Sequence, residues 1–172
     1  RMAVGIYPRV TFEQKSRMSP FMYGEEFVKI PENNEPQVTA GIEERKEAAV
    51  KQTCLFIDAS LLAINTETLN QEPPKVGACL FFVGAADSLT QHYKLDDTEF
   101  FEVAFRVLRY FGVSEQNAGL FLKGFSVMAQ EPFGREALIE GGNAIKHWLS
   151  GKDPNAPLRL FDLVKKWKDV RL

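Results

Sequence analysis

The chain has 172 residues, 45% of them hydrophobic and 26% charged, and its 21 basic and 23 acidic side chains leave a formal charge of −2. Such values are average for one globular domain and exclude collagen-like, disulfide-stapled and wholly disordered classes. Near-balanced charge supplies no field to draw in a polyanion, so nucleic acid is not the expected partner.

The longest uncharged apolar run, Val76 to Ala86, is about half the roughly 20 residues of a membrane-spanning helix, so no membrane partner is expected. Near the start, Pro8 and Arg9 interrupt the apolar stretch that a secretory signal would need. Cys54 and Cys79 lack the C-x-x-C spacing of a redox or zinc motif and fit small buried hydrophobes in a reducing compartment. A cytoplasmic location is the expectation.

Residues 1–36 carry Pro8, Pro20, Pro31 and Pro36, a density that excludes a long helix. Two alternating segments, Ala3 to Tyr7 and Phe21 to Val28, fit either a short β-hairpin or an extended arm lying over the rest of the domain. From Gln37 the apolar period becomes helical. The first helix is expected over about Val38 to Asn65, with a charged first half and an apolar second half. A polar loop, Thr66 to Lys75, leads to a second over about Val76 to Tyr93. Its first turns are apolar all round, the mark of a central helix enclosed by others.

Asp96 or Asp97 caps the start of a third helix, with Glu99 in capping-box register to Asp96, and Gly112 ends it. Ser114 caps a fourth over Glu115 to Gln130, and Pro132 stops it. A fifth is expected over Gly134 to Ser150. Asn155 and Pro157 then start a sixth, about Leu158 to Val170. The fold class is therefore all-α: a bundle of five to six helices (residues 37–172) preceded by an extended N-terminal arm (residues 1–36).

Several groupings could carry chemistry. Arg109 to Asn117 resembles the turn of a DNA-binding helix-turn-helix, but the helix after it holds one base-reaching charge, Lys123, among core residues, as an ordinary helical hairpin would. His92 and His147 do not share the helical spacing of a dinuclear metal bundle. Neither a metal nor another cofactor is expected. Asp58 and Asp87 fall on apolar helix faces and fit structural pairing. Ser60, Ser88 and Ser126 lack a nucleophile-elbow context. Gly141 and Gly142 stand inside the fifth helix, where each glycine costs about 1 kcal/mol relative to alanine. They fit a close helix crossing or a kink, or else a backbone surface open to a ligand.

Charge is distributed unevenly, with nets of 0 over residues 1–36, −5 over 37–150 and +3 over 151–172. Together these features favour a non-enzymatic helical adaptor acting through protein–protein interaction or self-association. Its contacts are expected from the aromatic arm (Tyr7, Phe21, Tyr23, Phe27) and from the basic aromatic tail (Lys165, Lys166, Trp167). The alternative is a bundle enclosing a small apolar ligand against Phe81, Phe82, Phe121, Phe125, Gly141 and Gly142. A helix-turn-helix regulator ranks below both.

Overall fold

The computed structural model describes residues 41–167. In chain order these form α1 (Ile42–Leu61), α2 (Thr66–Leu69), α3 (Pro74–His92), α4 (Asp97–Tyr110), α5 (Glu115–Met128), α6 (Pro132–Leu149), a 3-10 turn (Ala156–Leu158) and α7 (Arg159–Trp167). No strand occurs among the described residues, and the segments expected to pair as a hairpin lie outside them. Nor is any described helix long and apolar enough to cross a membrane.

The stretch of α3 from Val76 to Ala86, apolar all round, can be satisfied only by neighbours on every side. It lies at the centre, with Gly77 to Ala86 fully buried, packed by α6, α4, α1 and α7. Phe56 of α1 stacks on Phe81 at 5.8 Å between ring centroids, and Phe82 meets Phe111 edge-on at 5.0 Å. A second cluster, containing Cys79, Val83, Phe100, Ala104, Leu108 and Ala118, joins α3 to α4 and α5.

The α3–α6 contact is backbone on backbone. A Cβ on Gly141 would fall inside the carbonyl oxygen of Phe81, and one on Gly84 inside that of Leu138. A Cβ on Gly142 would stand 3.2 Å from the Gly84 carbonyl oxygen. Gly141 and Gly142 thus belong to a close crossing within an unbroken helix.

Local chemistry explains where the elements depart from expectation. Among the described residues there are seven α-helices rather than five or six, because Asn65 caps an extra turn by accepting the Glu67 N–H, which splits the expected loop. That capping role also ends α1 at Leu61, short of Asn65. Pro74 and Pro132 occupy the first turns of α3 and α6, where a missing N–H is harmless, so both helices start two residues early. α5 ends at Met128, before Gln130. Asn155 makes no side-chain cap; its own N–H donates to Asp153 Oδ1 at 3.0 Å, and a 3-10 turn precedes α7. The capping box of Asp96 and Glu99 and the Ser114 cap are both present. At the turn between α4 and α5, Gly112 adopts φ +98°, a conformation that favours glycine.

The charged first half of α1 is tied down by ion pairs to α4. Lys46 Nζ meets Glu102 and Glu43 carboxylates at 2.6 Å each, and Arg106 meets Glu47 at 2.7 Å. Hydrogen bonds to Glu102 and Glu43 raise the Lys46 pKa well above the usual lysine range.

Candidate functional site

α5 is capped like any ordinary helix, yet its sequence after Ala118 is nearly as apolar as that of α3: Leu120, Phe121, Leu122, Phe125, Val127 and Met128, with Lys123 as its one cation. A helix of that composition should be buried all round. Instead Ala118 is its only fully buried residue and its chief packing partner is α4. Leu120 is 58% exposed and Val127 66% exposed. Large apolar residues grouped on an outer face mark a surface that something covers.

Between α4 and α5 lies an open groove of about 840 Å³. Its apolar lining is Phe101 and Phe105 from α4, with Leu122, Phe125 and the bare backbone of Gly119 from α5. Phe101, in the wall, is 43% exposed. Thr98, Glu102, Arg106, Lys123 and Ser126 supply the polar part of the lining. Glu102 and Arg106 are already engaged by Lys46 and Glu47, whereas Lys123 makes no ion pair among the described residues.

Gly119 sits inside α5 without the steric reason that holds for Gly141. A Cβ there would meet nothing within 4 Å, and at Gly124 it would meet only Met128 Cε at 3.9 Å. Gly119→Ala is therefore expected to stabilise the full chain by about 0.5–1 kcal/mol, the helix-propensity difference. Chemical denaturation would check this, and a loss of stability would show that another group approaches Gly119 closely in the intact protein.

The residues singled out from sequence are scattered. Tyr7, Phe21, Tyr23 and Phe27 lie outside the described residues. Trp167 is fully buried, its ring lying over Gly77 and meeting Phe133 edge-on at 5.1 Å between centroids. Lys165 and Lys166 are exposed; Lys165 Nζ stands 3.9 Å above the Phe161 ring and Lys166 pairs with Glu136 at 2.5 Å. Phe81 and Phe82 are fully buried core, and Phe121 is half-buried against both clusters. Of the four phenylalanines only Phe125 reaches the groove. Phe101, Phe105 and Leu122 were not singled out from sequence. The signal that could have found them is an apolar helix joined by a tight turn to a strongly amphipathic one, α4, with few remaining elements to enclose it.

Several of the reactive side chains are occupied in structural contacts, whereas Ser88 Oγ is buried without a hydrogen-bond partner among the described residues. Burial pushes the Cys54 thiol up to about 11, with Asp58 adding to it, and pushes the Cys79 thiol up to about 12. Thiols held protonated in this way are poor nucleophiles at neutral pH. Burial also lowers the pKa of His92. His147 Nδ1 contacts the Arg159 guanidinium at 3.1 Å, and the same guanidinium donates to Asp153 at 3.0 Å, clasping the end of α6 to the start of α7. Asp58 accepts from the Tyr110 hydroxyl at 2.7 Å, and Asp87 accepts from Gln91 Nε2 at 2.8 Å. Ser60 donates to the Phe56 carbonyl. Among the described residues no three His, Cys, Asp or Glu side chains gather as a metal site.

Comparison with protein-family models, with curated proteins and with solved structures gives no match to this chain.

Proposed function

We propose that the protein is a non-enzymatic helical interaction module whose α4–α5 groove receives an apolar segment of a polypeptide. The observation that carries this reading is the groove between α4 and α5, in which the half-buried Leu122 and Phe125 of α5 stand opposite Phe101 and Phe105. An amphipathic or extended segment seated there would bury surface that otherwise faces water, at about 25 cal/mol per Å² of apolar area. An enclosed pocket would suit a small apolar ligand better, since such ligands are normally buried over most of their surface. This groove is widely open to solvent and suits a chain more than a small molecule. One cation on α5 is too little for the phosphate contacts that a DNA-reading helix requires.

Selecting peptides from a random library against the full chain tests the reading. Enriched peptides are expected to carry two or three large apolar residues, and Phe101→Asp, a substitution at an exposed wall position, is expected to weaken them at least tenfold. Peptides that bind equally well to the Phe101→Asp protein would refute the groove as the docking surface.

A further inference from the structure

We propose that the resident occupant of the α4–α5 groove is this chain's own segment Pro20–Ile30, docked in cis. The proposal rests on the reading of the groove as a docking site for an apolar segment. It starts from where the chain enters the described residues. Gly41 is the N-cap of α1, and five residues on, Lys46 bonds Glu102, which lines the groove. The next residue, Glu47, pairs with Arg106, which lines it too. The first turns of α1 therefore run beside the groove, and the arm starts from its flank.

Distance permits the connection. Gly41 to Lys46 is about 7.5 Å along a helix axis. Ten residues, 31–40, beginning with the polar run Pro31-Glu32-Asn33-Asn34-Glu35-Pro36, join the segment Pro20–Ile30 to Gly41, and a chain of that length reaches at most about 33 Å. The segment before the tether is Pro20-Phe21-Met22-Tyr23-Gly24-Glu25-Glu26-Phe27-Val28-Lys29-Ile30. It has large apolar side chains for the walls at Phe101 and Leu122. Its two acids, Glu25 and Glu26, complement Lys123, the groove cation without an ion pair among the described residues.

The short tether also decides between a cis segment and a second copy. A segment joined by about ten residues has an effective concentration in the millimolar range, far above that of a second chain at micromolar concentration. An outside polypeptide must displace the arm, which makes the arm a competitor that sets the threshold for binding.

The test places the photoreactive residue p-benzoylphenylalanine at position 101 of the full chain, with the same residue at the exposed position 139 of α6 as control. Irradiation is expected to give a product of monomer mass cross-linked within residues 20–30 from position 101 and none from position 139. In parallel, a synthetic peptide of residues 20–30 is titrated against the full chain and against its Phe21→Ser/Tyr23→Ser/Phe27→Ser variant. It should bind the variant at least tenfold more tightly, because the groove is then vacant. A product of dimer mass would assign the groove to a second copy and overturn the proposal. So would cross-links elsewhere in the chain, no cross-link, or equal peptide affinities. The two readings fail separately: library peptides that need Phe101, with no arm cross-link, overturn the cis arm alone, whereas peptides indifferent to Phe101 overturn the docking groove and the arm with it.

Discussion

Trp167→Ala is expected to destabilise the full chain by about 3–5 kcal/mol, the usual cost of emptying a tryptophan-sized volume in a core. Trp167 is among the largest fully buried side chains described. Its six-membered ring lies where any Cβ on Gly77 would have to go, so α3 carries glycine at that point to admit it, and Phe133 of α6 closes the other side edge-on. The side chain thereby joins α7 to α3 and α6 at once. α7 is described over nine residues, and a protein helix draws most of its stability from tertiary packing of this kind. The indole Nε1 has no hydrogen-bond partner among the described residues, so the expected loss comes from packing and apolar burial. Trp167→Phe should therefore recover much of it. Urea denaturation of the full chain and both variants measures this. A midpoint unchanged in Trp167→Ala would place the ring on the surface, as a partner-binding tryptophan would be.

That tryptophan shows where sequence patterns stop being informative. At helical spacing Trp167 shares a face with Leu160, Leu163 and Val164, all buried, while Lys165 and Lys166 project from the opposite side. Adjacency in sequence suggested a basic aromatic tail, but the helical period separates the indole from the lysines. Where one residue's neighbours along the helix decide its environment, the fold is legible. The apolar circumference of α3 predicts a central helix, and the Asp96–Glu99 spacing predicts the start of α4. The groove is a different kind of object. Phe101 and Leu122 belong to separate helices, and whether their side chains meet a third element depends on what remains in the chain to cover them. Composition alone made α5 a core helix, and Phe121 and Phe125 were read as lining a cavity with Phe81 and Phe82. In the fold Phe81 and Phe82 are enclosed by α1, α4 and α6, while Phe125 opens onto the groove. Glycine is the extreme case, since the residue has no side chain to carry a pattern. Gly119 and Gly141 both stand inside continuous helices, and only what lies across from them distinguishes the two.

For Gly141 that partner is backbone, and Gly141→Ala is expected to be the most damaging of the single-methyl additions in α6. The new Cβ would fall on the carbonyl oxygen of Phe81, in the middle of the central helix, where no rotamer change can make room. Either α6 moves away along its whole contact with α3 or the carbonyl of Phe81 tilts out of its helical hydrogen bond. Both disturb the Phe56–Phe81 stack and the layer beneath it. Overpacking a core costs about 1–3 kcal/mol when side chains can yield. With backbone on the far side the upper end applies, and the gain of about 1 kcal/mol in helix propensity offsets only part of it. A net loss of about 2 kcal/mol corresponds to a fall of roughly 4–8 °C in Tm for a chain of this size. Gly142→Ala is the internal control. Its Cβ would stand 3.2 Å from the Gly84 carbonyl oxygen, a contact that a shift of a few tenths of an ångström relieves. Propensity and crowding should nearly cancel there, leaving Tm within about 2–4 °C of the parent, the equivalent of about 1 kcal/mol. If the neighbouring glycines were instead a surface held open for a ligand, alanine at either position would raise stability by the propensity difference. A Gly141→Ala protein melting at or above the parent temperature would therefore dismantle the α3–α6 crossing and, with it, the central place of α3.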